Sequence, residues 1–433
     1  MRIHVFTPLP PLRTEIANHS EGVLGELALR CDVTAWTTQA DPACAGLHAG
    51  QVRHYDPLDL PLRDLNDADA VFYNFGNHAG FHRPILQAAA AVPGIAVLHD
   101  LNMQHLFGWF ALSRATEAAY VATMLRHHGT EAAADAARFV AREIGIEPLV
   151  DRYPLTLAAA DRAVAIVGHN RTGLAELAGQ TRLPAYYLPL STGRLDAPPP
   201  LRVPAAAPYR LVVFGFISGN RRVGSLLHAM AALPDPGLFT LDIYGTLADS
   251  AGMSELLEEL GLQRQVRVHG FVSAETLAAA LQGAHLAVNL RFPTMGEASA
   301  SQLYIWACAL PSLVTRTGWY ADLPADAVGF VDPETEVDDL RAHLLAFHAD
   351  QAPYLEAGRR GRAVAEAQHR PADYAEGLLR IAADGGVQHR RRGALDAAGT
   401  VSRVLTDLAG PDALRFAGPG FARAIAGLFG QPK

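Results

Sequence analysis

Short apolar runs rich in β-branched and aromatic residues alternate along the chain with stretches of helical periodicity, the pattern of parallel sheets covered by helices. In the first half, IHVFT, DVTAWTT, AVFYNF, IAVLHD, AVAIVGH and YYLPL read as strands. Between them, residues 21–30, 82–91 and 171–178 read as short helices, and 113–145 as a longer alanine-rich helical insertion. The pattern breaks in LDAPPPLRVPAAAPYR, residues 195–210, a proline-rich stretch without periodicity that reads as an interdomain linker. Past it the alternation restarts, with RLVVFGF, LFTLDIYG, QVRVHGF, HLAVNLR and PSLVTRT as strands. Helices are expected near 221–232, 252–260, 274–282 and 299–309, and again through 336–384. Two successive open α/β sheets imply a cleft between them, with ligands at the carboxyl ends of the strands.

Composition sharpens this picture. A chain of 433 residues, 50% of them hydrophobic, is long enough for two domains of about 200 residues each. The expected division is 1–200, 205–385 and a C-terminal helical segment, 386–433. That last segment is arginine-rich and then mildly amphipathic, suited to cross back onto the first domain or, less well, to lie on a membrane surface. No run approaches the roughly 20 apolar residues of a membrane span. The net charge of -8 argues against a nucleic-acid partner. Cys31, Cys44 and Cys308 are an odd, widely spaced set without a CxxC pair, which suggests neither a disulfide framework nor a zinc site and suits a reducing cytoplasm. The only lysine is Lys433, so a Walker-type lysine and an internal Schiff-base lysine are excluded. Phosphate binding would fall to arginine, helix N-termini or backbone amides.

The segment richest in chemistry is NLRFPTMGEASASQLYIWACALPSLVTRTGWYADLP, residues 289–324. A strand gives way to a turn through Pro293 and Gly296, and a helix opens near Ala298, Ser299, Ala300 and Ser301. Such a start offers free amides and a positive dipole end to a phosphate, with serine hydroxyls as further donors. Glu297 beside it is suited to accept hydrogen bonds from sugar hydroxyls. The plainer alternative makes Glu297 a charge favoured by the dipole and Ser299 a helix cap, with nothing bound.

PTMGEASAS, ACALPSLVT and GWYADLP resemble the donor region of family-4 glycosyltransferases of the GT-B fold, in the branch reading PTMGETSGS, ALAxGxPVIV and GWxxELP. The resemblance implies an α/β protein of two Rossmann-like domains facing across a cleft. It also implies a retaining transferase that needs no metal or other cofactor. Its donor would be a nucleotide-sugar, UDP- or GDP-linked, and its acceptor a glycan or lipid-linked molecule of bacterial polysaccharide assembly. Contact with the inner membrane surface would go with such an acceptor. In the second domain it implies donor contacts at Gly215, at Arg221 and Arg222 as the diphosphate cations, at Gly245, at Phe271 and Val272 beside the base, and at Gly296 and Ala298–Ser301. In the first domain, LHD marks His99 as the group at the transferred sugar, working with Glu297. Asp100 and Asn102, with Ile16, Asn18 and His19, are expected to face the acceptor.

Two departures stand out. Thr14 and Glu15 replace the usual Ser-Gly of the first loop, and Tyr304 stands where many relatives place a ribose-binding glutamate. They keep a noncatalytic sugar-nucleotide or glycan binder in view as the alternative. Asp67 and Asp69 mimic a metal-binding DxD pair but sit at a helix-to-strand turn, and His78 and His82 have no acidic third partner nearby.

Overall fold

The computed structural model describes residues 1–44, 47 and 51–409, with side chains described to Val401. The first sheet contains β1 (Arg2–Phe6), β2 (Asp32–Thr37), β3 (Val52–His54), β4 (Ala70–Phe75), β5 (Gly94–Leu98), β6 (Ala163–Gly168) and β7 (Ala185–Tyr187). Their order is β3-β2-β1-β4-β5-β6-β7, every pair parallel. The second sheet contains β8 (Tyr209–Phe214), β9 (Phe239–Tyr244), β10 (Val266–Gly270), β11 (Leu286–Asn289), β12 (Ser312–Thr315) and β13 (Gly329–Val331). It runs β10-β9-β8-β11-β12-β13, again all parallel. The central strands are buried on both faces, as AVFYNF and GIAVL show by being buried at every position. Two Rossmann-like α/β sheets joined in one chain define the GT-B fold.

In each sheet the strand order reverses once, between β1 and β4 and between β8 and β11. A crevice opens beyond the carboxyl ends of the strands at such a reversal. The loops after β1 and β5 of one sheet and after β8 and β11 of the other face each other there.

The expected strands all form, and two short ones were not anticipated. Both β3 and β13 are three-residue strands at sheet edges, too short to show a period. The expected 21–30 helix begins earlier, at Glu15. The insertion is broken rather than continuous: its long helix, Glu117–Val140, kinks at Gly129, whose φ of 84° no helix tolerates.

The return to the first domain also comes earlier than residue 386. The Pro371–Ala383 helix already places Tyr374, Leu378 and Ile381 in one core with Ile3, Val5 and Leu24. The helix that follows, Gly385–Ala409, sends Arg391 to the carbonyls of Leu65 and Ala68. Residues 410–433, where the amphipathic stretch was read, lie outside the described residues. The proline-rich linker is clamped rather than loose. Arg202 donates to the carbonyls of Leu281, Ala284 and Cys308, and Arg362 to those of Leu195, Ala197 and Ala307. The two crossings between domains touch, with His369 Nδ1 donating to the Leu190 carbonyl at 2.6 Å and Thr192 N to the His369 carbonyl. Among the described residues no helix is long and apolar enough to cross a membrane.

Candidate functional site

The donor wall is built by the second sheet. After β8 the chain turns at Gly215, φ 112°, and after β9 at Gly245, φ 125°. The two backbones pass so closely that a Cβ on Gly245 would lie 1.8 Å from the Gly215 carbonyl oxygen. Only glycine permits this approach. It leaves a compartment of 420 Å³ whose apolar wall is Phe214, Phe216, Tyr244, Phe271, Val272 and Leu277.

A single turn beyond Gly215, over Gly219–Arg221, delivers Arg221 to the joint between this slot and a second compartment. Arg221 Nη1 donates to Asn289 Oδ1 at 2.8 Å, and Nη2 reaches Ser301 Oγ at 3.5 Å. The side chain is buried, its Nε has no partner, and it makes no ion pair among the described residues. Desolvation and the nearby Arg291 lower its pKa to about 10. A guanidinium held like this is costly until an anion arrives.

Arg222 was expected beside it and is elsewhere. Its backbone takes a left-handed φ of 53°, and its Nε pairs with the buried Glu336 carboxylate at 2.7 Å. The second cation of the compartment is instead Arg291, at the end of β11, which pairs with Glu297 at 2.9 Å. Sequence reading placed Arg291 at the end of the strand but gave it no role, which comes from its pairing with Glu297 across the turn.

Glu297 is fixed from three sides: Arg291 Nε meets one oxygen, and Thr294 Oγ1 at 2.9 Å and the Met295 amide at 2.7 Å donate to the other. Gly296, φ 76°, presses against the first domain, where a Cβ would meet that of Leu101 at 2.6 Å. The following helix spans Ala300–Ala307 and is capped by Ser299, whose hydroxyl accepts from Gln302 N and from Asn289 Nδ2. Ser299 thus caps the helix, and with Ala298, Ala300 and Ser301 it lines the compartment beside the helix's free amides.

The opposite wall belongs to the first sheet. Beyond β5, His99 and Asp100 enter the second compartment, 230 Å³, together with Ile16, His19 and His169. Three imidazoles cluster there, with ring centroids 5.3 Å apart for His19 and His99 and 4.7 Å for His99 and His169. His169 Nδ1 donates to the Leu188 carbonyl, fixing its tautomer so that Nε2 keeps a lone pair, while His19 Nδ1 lies within hydrogen-bond distance of both the Ser191 carbonyl and its hydroxyl. Burial and the neighbouring rings hold His99 well below the usual histidine range and lower His19 to about 3, while burial lowers His169 to about 4. His99 Nε2 is buried without a partner. Asp100 accepts from the Asn77 amide at 2.7 Å, and desolvation, then the nearby Glu297, raises its pKa to about 7.

Two residues expected at the acceptor do not reach this compartment. Asn18 is exposed on the helix surface, and Asn102 is occupied, donating to the Val150 carbonyl and accepting from Gln104 N. His82 is buried in its helix with Nδ1 on the Asn74 carbonyl, and Asp69 accepts from the Arg2 amide. No group of three His, Cys, Asp or Glu that could hold a metal occurs among the described residues. Tyr304, expected as a donor contact, is buried behind the compartments without lining either and donates to Glu15 Oε2 at 2.7 Å.

An apolar slot, a buried cation and a polar chamber lie in line between two Rossmann-like domains, the architecture of a GT-B protein. Residues 206–364 match the family described as glycosyl transferases group 1, the stretch that also holds the PTMGEASAS segment. HepE of Anabaena, solved with UDP-glucose, superposes with a TM-score of 0.57 at 13% identity, covering 88% of this chain and 99% of that one. Sucrose-phosphate synthase of Thermosynechococcus elongatus gives a TM-score of 0.56 at 15% identity, over 88% of this chain and 98% of that one. WaaG, a glycosyltransferase of lipopolysaccharide biosynthesis, gives 0.55 at 14%, over 89% and 100%. These likenesses establish the GT-B fold. No curated protein sequence matches the chain.

Proposed function

We propose that this protein transfers a sugar, with retention and without a metal, from a nucleoside diphosphate donor to a hydroxyl of a glycan or lipid-linked acceptor. The observation that carries this reading is Arg221, a buried cation lacking an ion pair where the apolar slot meets the polar chamber. An anion flanked by a planar group on one side and a polyhydroxyl group on the other is what a nucleotide-sugar presents. HepE was solved with UDP-glucose, which makes UDP-sugars the first donors to try.

In this reading Arg221 and the amides at the start of the Ala300–Ala307 helix take the charge that builds on the departing diphosphate. Positive charge comes from the protein itself, and that supports metal independence. Glu297, aligned by Arg291, Thr294 and Met295, accepts hydrogen bonds from the sugar hydroxyls. His99 stays neutral, so it can hold a sugar hydroxyl beside the reacting carbon without adding charge to an oxocarbenium-like centre. Retention rests on the resemblance of the PTMGEASAS segment. A cytoplasmic location at the inner membrane face suits a lipid-linked acceptor.

The test is nucleotide release from UDP-, GDP-, ADP- and CDP-sugars, with and without candidate acceptors, followed by assignment of the product anomer by NMR. Turnover of one donor with its anomeric configuration kept is expected. An inverted product would remove retention alone. Absence of both nucleotide binding and release would sink the transferase reading.

A further inference from the structure

The two compartments share three residues, Arg221, Ser301 and Glu15, and the third comes from the opposite domain. Glu15 opens the Glu15–Ala28 helix, where a carboxylate is favoured by the dipole. It is solvent-exposed, so no packing demand explains its direction. What holds it is Tyr304, whose hydroxyl donates to Oε2 at 2.7 Å, with the Arg194 guanidinium stacked on the tyrosine ring at 4.2 Å. Oε1 accepts no hydrogen bond among the described residues. The neighbouring Arg13 lies 4.3 Å over the Phe271 ring, so this loop of the first domain reaches the base slot as well.

A ligand lying through both compartments must pass Glu15. For a nucleoside diphosphate sugar with its base in the slot and its sugar beside His99 and Glu297, the part at the joint is ribose and diphosphate. Arg221 and Ser301 suit the phosphates. A carboxylate so close to phosphate is tolerable only if it faces hydrogen-bond donors, and the vicinal ribose hydroxyls are the donors available there. We propose that Glu15, steadied by Tyr304, grips the ribose hydroxyls of the donor, so that the first domain completes the donor site. The proposal rests on the donor reading above.

Isothermal titration of the full chain with UDP, GDP, ADP and CDP, each beside its 2′,3′-dideoxy counterpart, tests it. Wild-type protein should prefer the ribose form of its nucleotide by about tenfold or more, the scale of a charge-assisted hydrogen bond. Glu15→Ala should bind the dideoxy form as wild type does and lose the preference, which also shows the variant to be folded. Tyr304→Phe keeps the ring beneath Arg194 and should fall between the two. A preference that survives in Glu15→Ala overturns the proposal. So does equal tightening of both forms, which would make the carboxylate a barrier to the diphosphate. Wild-type binding without ribose discrimination removes this inference alone, whereas no binding of any nucleotide removes the donor reading with it.

Discussion

The two walls of the cleft are polar in opposite ways. On the second-domain wall the polar side chains form one network: Asn289 bridges Arg221, Ser299 and Gln302, Gln302 continues to Ser312, and Glu297 takes two hydrogen-bond donors and an ion pair with Arg291. Such a network sets positions before a ligand arrives and leaves one cation, Arg221, short of a counter-charge. On the first-domain wall three imidazoles pack against one another and stay neutral, with Nε2 of both His99 and His169 unpartnered among the described residues. One wall presents an unpaired cation, whereas the imidazoles of the other bring no charge, and its carboxylates Glu15 and Asp100 stand to either side of them.

If that contrast holds, the largest effect should come from His99→Ala, a loss of about 10³ in turnover with nucleotide affinity nearly unchanged. Steady-state rates set against titration of the free nucleoside diphosphate separate the two. Arg221→Ala should do the reverse, weakening nucleotide binding by about 10². Equal binding by that variant would break the comparison at its strongest point.

Next in size is Gly245→Ala, where the new methyl meets the Gly215 carbonyl and φ is 125°. A stability loss of roughly 2–3 kcal/mol in denaturant unfolding is expected. The histidine wall gives a pH signature. His19, His82 and His169 have folded pKa values near 3 to 4 against 6.5 unfolded, so the unfolded chain binds more protons between them. Their contribution is complete above about pH 6.5 and drains away as pH falls toward 4. Asp100 runs the other way, because its raised pKa favours the folded state as pH falls from about 7. Three histidines outweigh one carboxyl, and the melting temperature should drop on acidification through this window. A flat profile would mean that the imidazoles are hydrated. The smallest effect on binding belongs to Arg222→Ala, which should change nucleotide affinity by less than about twofold, as a non-contacting residue would. It should still cost about 1–3 kcal/mol of stability, since Glu336 is left buried and unpaired.

Arg221 and Arg222 also show how far sequence reading reaches. Adjacent arginines after a strand and a glycine turn look interchangeable. The left-handed backbone at 222 separates them, sending one to the ligand cleft and the other to Glu336. His169 escaped notice because it joins the site only through His19 and His99, far away in sequence, and Arg291 because the turn that pairs it with Glu297 is set by packing. The start of the Glu15–Ala28 helix was obscured because Ser20 is turned inward to Thr7 rather than outward, at 2.6 Å, and spoils the apolar period.

The chain by itself determined the strands of both sheets apart from two short edges, the glycine turns and the PTMGEASAS segment. Those features depend on local periodicity and on backbone angles that few residues adopt. Only the tertiary structure decided which of two arginines faces the cleft, which histidines share a chamber, and that Glu15 of one domain meets Tyr304 of the other. Burial, charge pairing and contacts across hundreds of residues are properties of the packed chain, and no stretch of sequence carries them alone.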